Sequence, residues 1–201
     1  MGISLILTAV TDEQIKKFAS NPAAQKKFMD RASDPSAFLL RTFGKKIQNT
    51  QAFIQLGKAL GMNKGGDHST KFFETARQVD LDKAWHGLHW ILTGSTDQGP
   101  EPLCYLVHKG QTLAPFHDSD VRAITSQQLA AFEAALQAID ETELRSRYDG
   151  EKMAAAHLYL STLWLRSKEE GVDILMTALS RLKNFLQEAK AHNEGMLIWT
   201  T

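Results

Sequence analysis

The chain has 201 residues, enough to bury a hydrophobic core as one domain without disulfide or metal staples. Lys plus Arg number 23 and Asp plus Glu 23, so the formal charge is zero and the broad basic footprint of a nucleic-acid binder is missing. A single cysteine, Cys104, excludes an internal disulfide and a four-cysteine zinc site, and fits a reducing compartment.

Ile3 to Val10 is a short apolar run with no basic residue ahead of it and Thr11-Asp12-Glu13 directly after it. It is too short to span a bilayer and lacks the layout of a signal peptide, so it reads as a buried strand. No membrane association is expected, and the expected location is the bacterial cytoplasm. Thr11 with Gln14 makes a capping box that opens a helix through Ile15 and Phe18. Asn21-Pro22 interrupts the chain, and Ala23 to Met29 makes a second helix. Ser33-Asp34-Pro35 caps a segment carrying Phe38, Leu39 and Phe43, and Ile47 to Leu60 shows apolar residues at helical intervals. Gly61 to Thr70 is glycine-rich without being a phosphate loop, because Gly66 is followed by Asp67 where Lys and then Ser or Thr are required. Phe72, Phe73 and Ala76 begin a further helix.

The densest stretch runs from Val79 to Gly94. Asp80 is placed as an N-cap, Asp82 falls in a first turn that favours negative charge, and Gly94 is placed to end the helix. Trp85, Leu88, His89 and Leu92 recur at helical spacing as one apolar stripe. Such stripes are usually core, yet buried indole and imidazole groups need polar partners, which makes this helix a candidate wall for a site.

Beyond Gly94 a loop leads to a strand over Leu103 to His108, with Lys109-Gly110 as a turn and Gln111 to Ala114 as its partner. His117-Asp118-Ser119-Asp120 gathers an imidazole and two carboxylates, either as a local turn or as a metal or proton-transfer group. Asp120 to Ile124 extends the sheet, and Thr125 with Gln128 repeats the capping box ahead of Leu129, Phe132, Leu136 and Ile139. Glu143 to Tyr148 reads as a short helix, whereas Met153 to Trp164 has no clear period. Leu175, Met176, Leu179, Leu182, Leu186 and Ala189 then define a long amphipathic helix, and Met196 to Thr200 a closing strand. The fold class that follows is α+β: a helix-rich domain whose small mixed or antiparallel sheet includes both terminal strands.

Asp82-Lys83 followed by Trp85, Leu88, His89, Leu92, Thr93 and Gly94 resembles the signature of the YfbM-like family, small bacterial proteins carried as a domain of unknown function. The Met1-Gly2 start, the long penultimate helix and the closing Gly195-Met196-Leu197-Ile198-Trp199 are similar as well, so the resemblance spans nearly the whole chain. It implies one α+β domain over residues 1–201 and brings no reaction, cofactor or catalytic residue to carry over. The region 22–70 is longer than in compact relatives, and Tyr159-Leu160 ahead of Trp164 stands where they tend to have a Tyr-Pro pair.

His86 and His89 have an H-x-x-H spacing, but the glutamate of the metalloprotease motif is missing and two ligands do not make a catalytic zinc site; no metal and no cofactor is expected. Nucleophile-elbow, dinucleotide and kinase motifs are missing too, and Cys104 sits in an apolar run as an inert thiol. Two readings stay open. The first is a binding or interaction module for a protein partner, in the manner of an immunity protein. The second is a small-ligand enzyme or sensor whose pocket is lined by Asp82, Trp85, His89, Tyr159 and Trp164.

Overall fold

The computed structural model describes residues 3–33 and 77–201, in two units taken separately: residues 3–22 with 77–201, and residues 23–33. The expected helices over 34–60, the Gly61 to Thr70 loop and the helix start at Phe72 lie outside the described residues.

The first unit is built on β1 (Leu5–Val10), buried at every position as its unbroken apolar run requires. It pairs antiparallel with β5 (Gly195–Thr200) in continuous register from Leu5 opposite Thr200 to Val10 opposite Gly195. β2 (Gln78–Asp80) takes the free edge of β1, and β3 (Gln111–Thr112) with β4 (Arg122–Ile124) extend the sheet beyond β5. The order is β2-β1-β5-β4-β3, antiparallel at every pairing, so the two terminal strands form the middle of an α+β sheet.

Both capping boxes form. Thr11 opens α1 (Asp12–Ser20) and Thr125 opens α4 (Ser126–Ala138), each hydroxyl accepting from the N3 backbone while the N3 glutamine accepts from the cap. Asp12 joins the two starts, because its carboxylate takes the Ser126 backbone N–H and hydroxyl, each at 2.8 Å. α2 (Pro22–Ala32), which apart from Pro22 lies in the second unit, has proline at its first helical position, where a missing N–H costs nothing. The segment after Asp80 becomes a 3₁₀ turn (Asp82–Ala84) and then α3 (Trp85–Thr93), which Gly94 ends at φ 72°. Short helices α5 (Glu141–Ser146), α6 (Gly150–Ala155) and α7 (Ser161–Trp164) lead to α8 (Lys168–Ala191). α8 packs along α4, with Leu175, Leu179, Leu182 and Leu186 buried.

Two expectations are corrected. Leu103–Leu106 is a 3₁₀ turn and not a strand. Its consecutive residues Cys104, Tyr105 and Leu106 are all buried, which a turn wedged between other elements permits and a half-exposed edge strand does not. The Arg122 guanidinium moreover takes the carbonyls of Tyr105 at 3.2 Å, Leu106 at 2.7 Å and Lys109 at 2.7 Å, the groups a strand would offer to a neighbour. β3 therefore pairs with β4. Asp80 does not cap a single helix: it ends β2, and its carboxylate accepts from the Asp82 N–H at 2.6 Å, tightening the chain into the 3₁₀ turn. Met153 to Trp164, which shows no clear period in the sequence, runs from the end of α6 to the end of α7, with left-handed residues at His157 (φ 53°) and Leu160 (φ 57°) between the two helices.

Candidate functional site

α3 is held from three sides. Leu88, His89, Ile91 and Leu92 are buried, and the helix packs against both the Leu103–Leu106 turn and α8. Gly87 is a contact point: a Cβ there would stand 2.6 Å from the Trp164 ring, so only glycine lets the indole lie flush against the helix. Arg147, four residues after Glu143 and paired with it at 2.6 Å, donates to the carbonyl of Ile91 at 3.1 Å near the end of α3.

The residues singled out in the sequence separate into four settings. Trp85 is half-buried, stacked on His86 at 4.8 Å and on Tyr159 at 6.0 Å between ring centres. Its indole N–H donates to the Ile3 carbonyl at 3.3 Å, and the Tyr159 hydroxyl accepts from the Ile3 N–H, so this pair clasps the chain just before β1. Trp164 is wholly buried, donating to the Tyr159 carbonyl at 3.0 Å and accepting from the Tyr148 hydroxyl at 2.9 Å. His89 is buried where the Gln98 backbone and Asp97, in the loop after Gly94, act on its ring. Asp82 is elsewhere again, exposed, with a left-handed backbone at φ 49°.

The two histidines differ in chemistry. His86 Nε2 lies 2.8 Å from the Thr96 carbonyl, which can only accept, so Nε2 carries the proton; Nδ1 accepts from the Tyr159 N–H at 2.9 Å. Both nitrogens are committed, no lone pair is left for a metal, and burial holds the imidazole below its ordinary pKa. His89 is fully buried, and neither ring nitrogen makes a hydrogen bond of good geometry. Burial lowers its pKa to about 4, against the opposing pull of the Gln98 backbone, with His86 and Arg122 adding to the fall and Asp97 resisting it. Among the described residues no three metal-capable side chains gather. His117 to Asp120 forms a tight turn: Phe116 and Ser119 exchange backbone hydrogen bonds at 3.0 and 3.1 Å, and Ser119 Oγ accepts from the Thr200 N–H at 2.8 Å. Cys104 is buried, which raises its thiol pKa.

Asp82 lines a concave feature among the described residues of the first unit. A groove of about 570 Å³ lies between the 81–84 turn and α8. Leu81, Ala84 and Ala178 are buried at its base beside the half-buried Ile174. Asp82, Glu170, Asp173 and Arg181 stand exposed around it.

A family model described as "Domain of unknown function (DUF1877)" matches residues 1–199. The chain belongs to that family. The crystal structure of YfbM from Escherichia coli, a protein of unknown function, superposes with a TM-score of 0.60 at 16% identity, over 98% of this chain and 99% of that one. At that identity the likeness is one of fold, and it agrees with the YfbM-like resemblance read from the Trp85 to Gly94 segment. No curated protein matches the chain.

Two residues that organise this DUF1877 member were not visible in its sequence. Arg122 lies in the Asp120 to Ile124 segment read as extending the sheet, yet its guanidinium is partly withdrawn from water among three carbonyls, and burial lowers its pKa. Arg147 falls in the short helix read over Glu143 to Tyr148 and donates to the Ile91 carbonyl near the end of α3. Carbonyls ending a 3₁₀ turn and an α-helix leave acceptors to satisfy, and only that general need pointed to an arginine nearby.

Proposed function

We propose that this protein is a non-enzymatic binding module that engages a protein partner through the groove between the 81–84 turn and α8. The observation that carries the reading is the groove itself: buried apolar residues at its base and four exposed charged residues around it. A recognition surface has that layout, with an apolar centre to desolvate and a polar rim to select. The aromatic and imidazole groups that first suggested a pocket support the module differently. Trp85, Tyr159 and Trp164 spend their polar atoms on backbone groups and so hold α3 and the chain before β1 in place.

A photo-crosslinking residue at Thr177, which lines the groove and is exposed, tests the proposal in cells, with the same residue at the exposed Gln137 as control. One stoichiometric partner captured from Thr177 and not from Gln137 is the expected result; equal capture from both, or none, refutes it. A partner encoded beside the gene would match the immunity-protein form of the reading. The small-ligand alternative keeps one support, since Asp82 lines a groove whose 570 Å³ lies within the size range of small-molecule sites. It requires a compound that raises the melting temperature of the wild type and not of Thr177→Arg.

A further inference from the structure

We infer that the groove selects a short amphipathic segment of its protein partner with basic side chains at one end, a step that rests on the binding-module reading. The stripe of α8 that lines it runs through Glu170, Asp173, Ile174, Thr177, Ala178 and Arg181. These positions fall at helical spacing on one face and span about 16 Å at 1.5 Å per residue. That length matches three turns of a partner helix, whose apolar side chains at the same spacing would cover Ile174 and Ala178.

Charge orients the segment. Three carboxylates, from Asp82, Glu170 and Asp173, line the groove against one guanidinium, Arg181. Two of them, Glu170 and Asp173, occupy the end of the stripe nearest the start of α8, and Arg181 the opposite end. The pairs these acids already make are exposed ones, Glu170 with Arg166 at 2.9 Å and Asp173 with Arg145 at 3.9 Å. Such pairs hold little energy, so an incoming Lys or Arg displaces them at small cost. On the facing wall the Asp82 carboxylate receives one long hydrogen bond, from the Ser4 hydroxyl at 3.5 Å, and keeps acceptor capacity for a donor. The field of the lining charges is negative, three carboxylates to one guanidinium; burial raises the pKa of neighbouring Asp80, the hydrogen bond from the Asp82 N–H lowers it, and the Asp82 and Arg181 charges pull in opposite directions. A partner of opposite sign relieves that field, and an acidic one worsens it.

The probe is an eleven-residue leucine–lysine amphipathic peptide, with a leucine–glutamate peptide of the same pattern as its counterpart, titrated into the 15N-labelled full chain. Shifts confined to residues 81–84 and 170–181 with the lysine peptide are expected. Asp82→Asn and Asp173→Asn should each weaken that binding about two- to fivefold, the range of an exposed charge pair. Asn tolerates the left-handed backbone at position 82, so that variant keeps the fold. Glutamate-peptide binding of equal strength, lysine-peptide binding at the groove that ignores both substitutions, or no groove shifts with either peptide, overturns the inference. The binding-module reading is judged separately by capture from Thr177, so the two failures are distinguishable.

Discussion

Acidification should destabilise this protein through His89, and by an amount that can be worked out. The side chain is fully buried and titrates at about 4, whereas an unfolded histidine titrates near 6.5. Between these values the unfolded chain binds a proton that the folded one refuses, so stability is highest above pH 6.5 and falls as pH drops toward 4. The full gap corresponds to about 3 kcal/mol, of which about 2 kcal/mol is lost by pH 5. His89→Leu removes the titration while keeping an apolar side chain of similar size. Urea unfolding of both proteins at pH 7, 6 and 5 gives the comparison, because acid effects common to the two cancel in the difference. The wild type should lose about 2 kcal/mol more than the variant between pH 7 and 5. Parallel pH profiles, or an NMR titration of His89 centred near 6.5 in the folded protein, would refute the argument.

Other outcomes follow from packing and hydrogen bonding. Gly87→Ala drives a methyl to 2.6 Å from the Trp164 ring and 3.0 Å from Leu175, and should cost about 1–3 kcal/mol by thermal unfolding, with altered tryptophan emission. An unchanged melting temperature would show that the Trp164 contact yields freely. Arg122→Met strips the donors from three carbonyls and should cost about 3 kcal/mol, with amide exchange fastest in the 103–110 turn; uniform exchange would count against the guanidinium as its organiser. Thr125→Ala removes a cap and should cost about 1 kcal/mol, with no change in the fold by circular dichroism.

Local rules made several elements legible and failed where the partner is distant. Thr11 with Gln14, Thr125 with Gln128, and the apolar stripe of α8 carry their instructions within one or a few turns, and each forms as read. Leu103 to Leu106 carries strand-like composition, but its carbonyls are claimed by Arg122, which the chain brings back from the far side of β3. Trp164 reads in the sequence as one wall of a pocket and not as the neighbour of Gly87, because that close approach follows a stretch bent by the left-handed residues His157 and Leu160. The same holds for the candidate site. The sequence singles out Trp85, His86, His89, Tyr159 and Trp164, but only the hydrogen bonds show which polar atoms are already taken.

The imidazole of His86 is closed on both sides by backbone groups, and that of His89 is kept neutral by burial, so neither offers an available, charged group near pH 7. The indoles of Trp85 and Trp164 likewise donate to carbonyls of the chain itself. Asp82 differs: it projects into water from a left-handed backbone, next to buried Leu81 and across from the charged stripe of α8. A non-glycine residue at positive φ is held there by its surroundings, in this case by Asp80 bonding the Asp82 N–H. The 81–84 turn thus presents a carboxylate outward and an apolar side chain inward within two residues, and α8 repeats the pairing with Asp173 and Ile174. Two walls that each set acid beside apolar surface favour a bound segment that is itself both basic and apolar, and they leave the Trp85–Tyr159 clasp the task of holding one of those walls still.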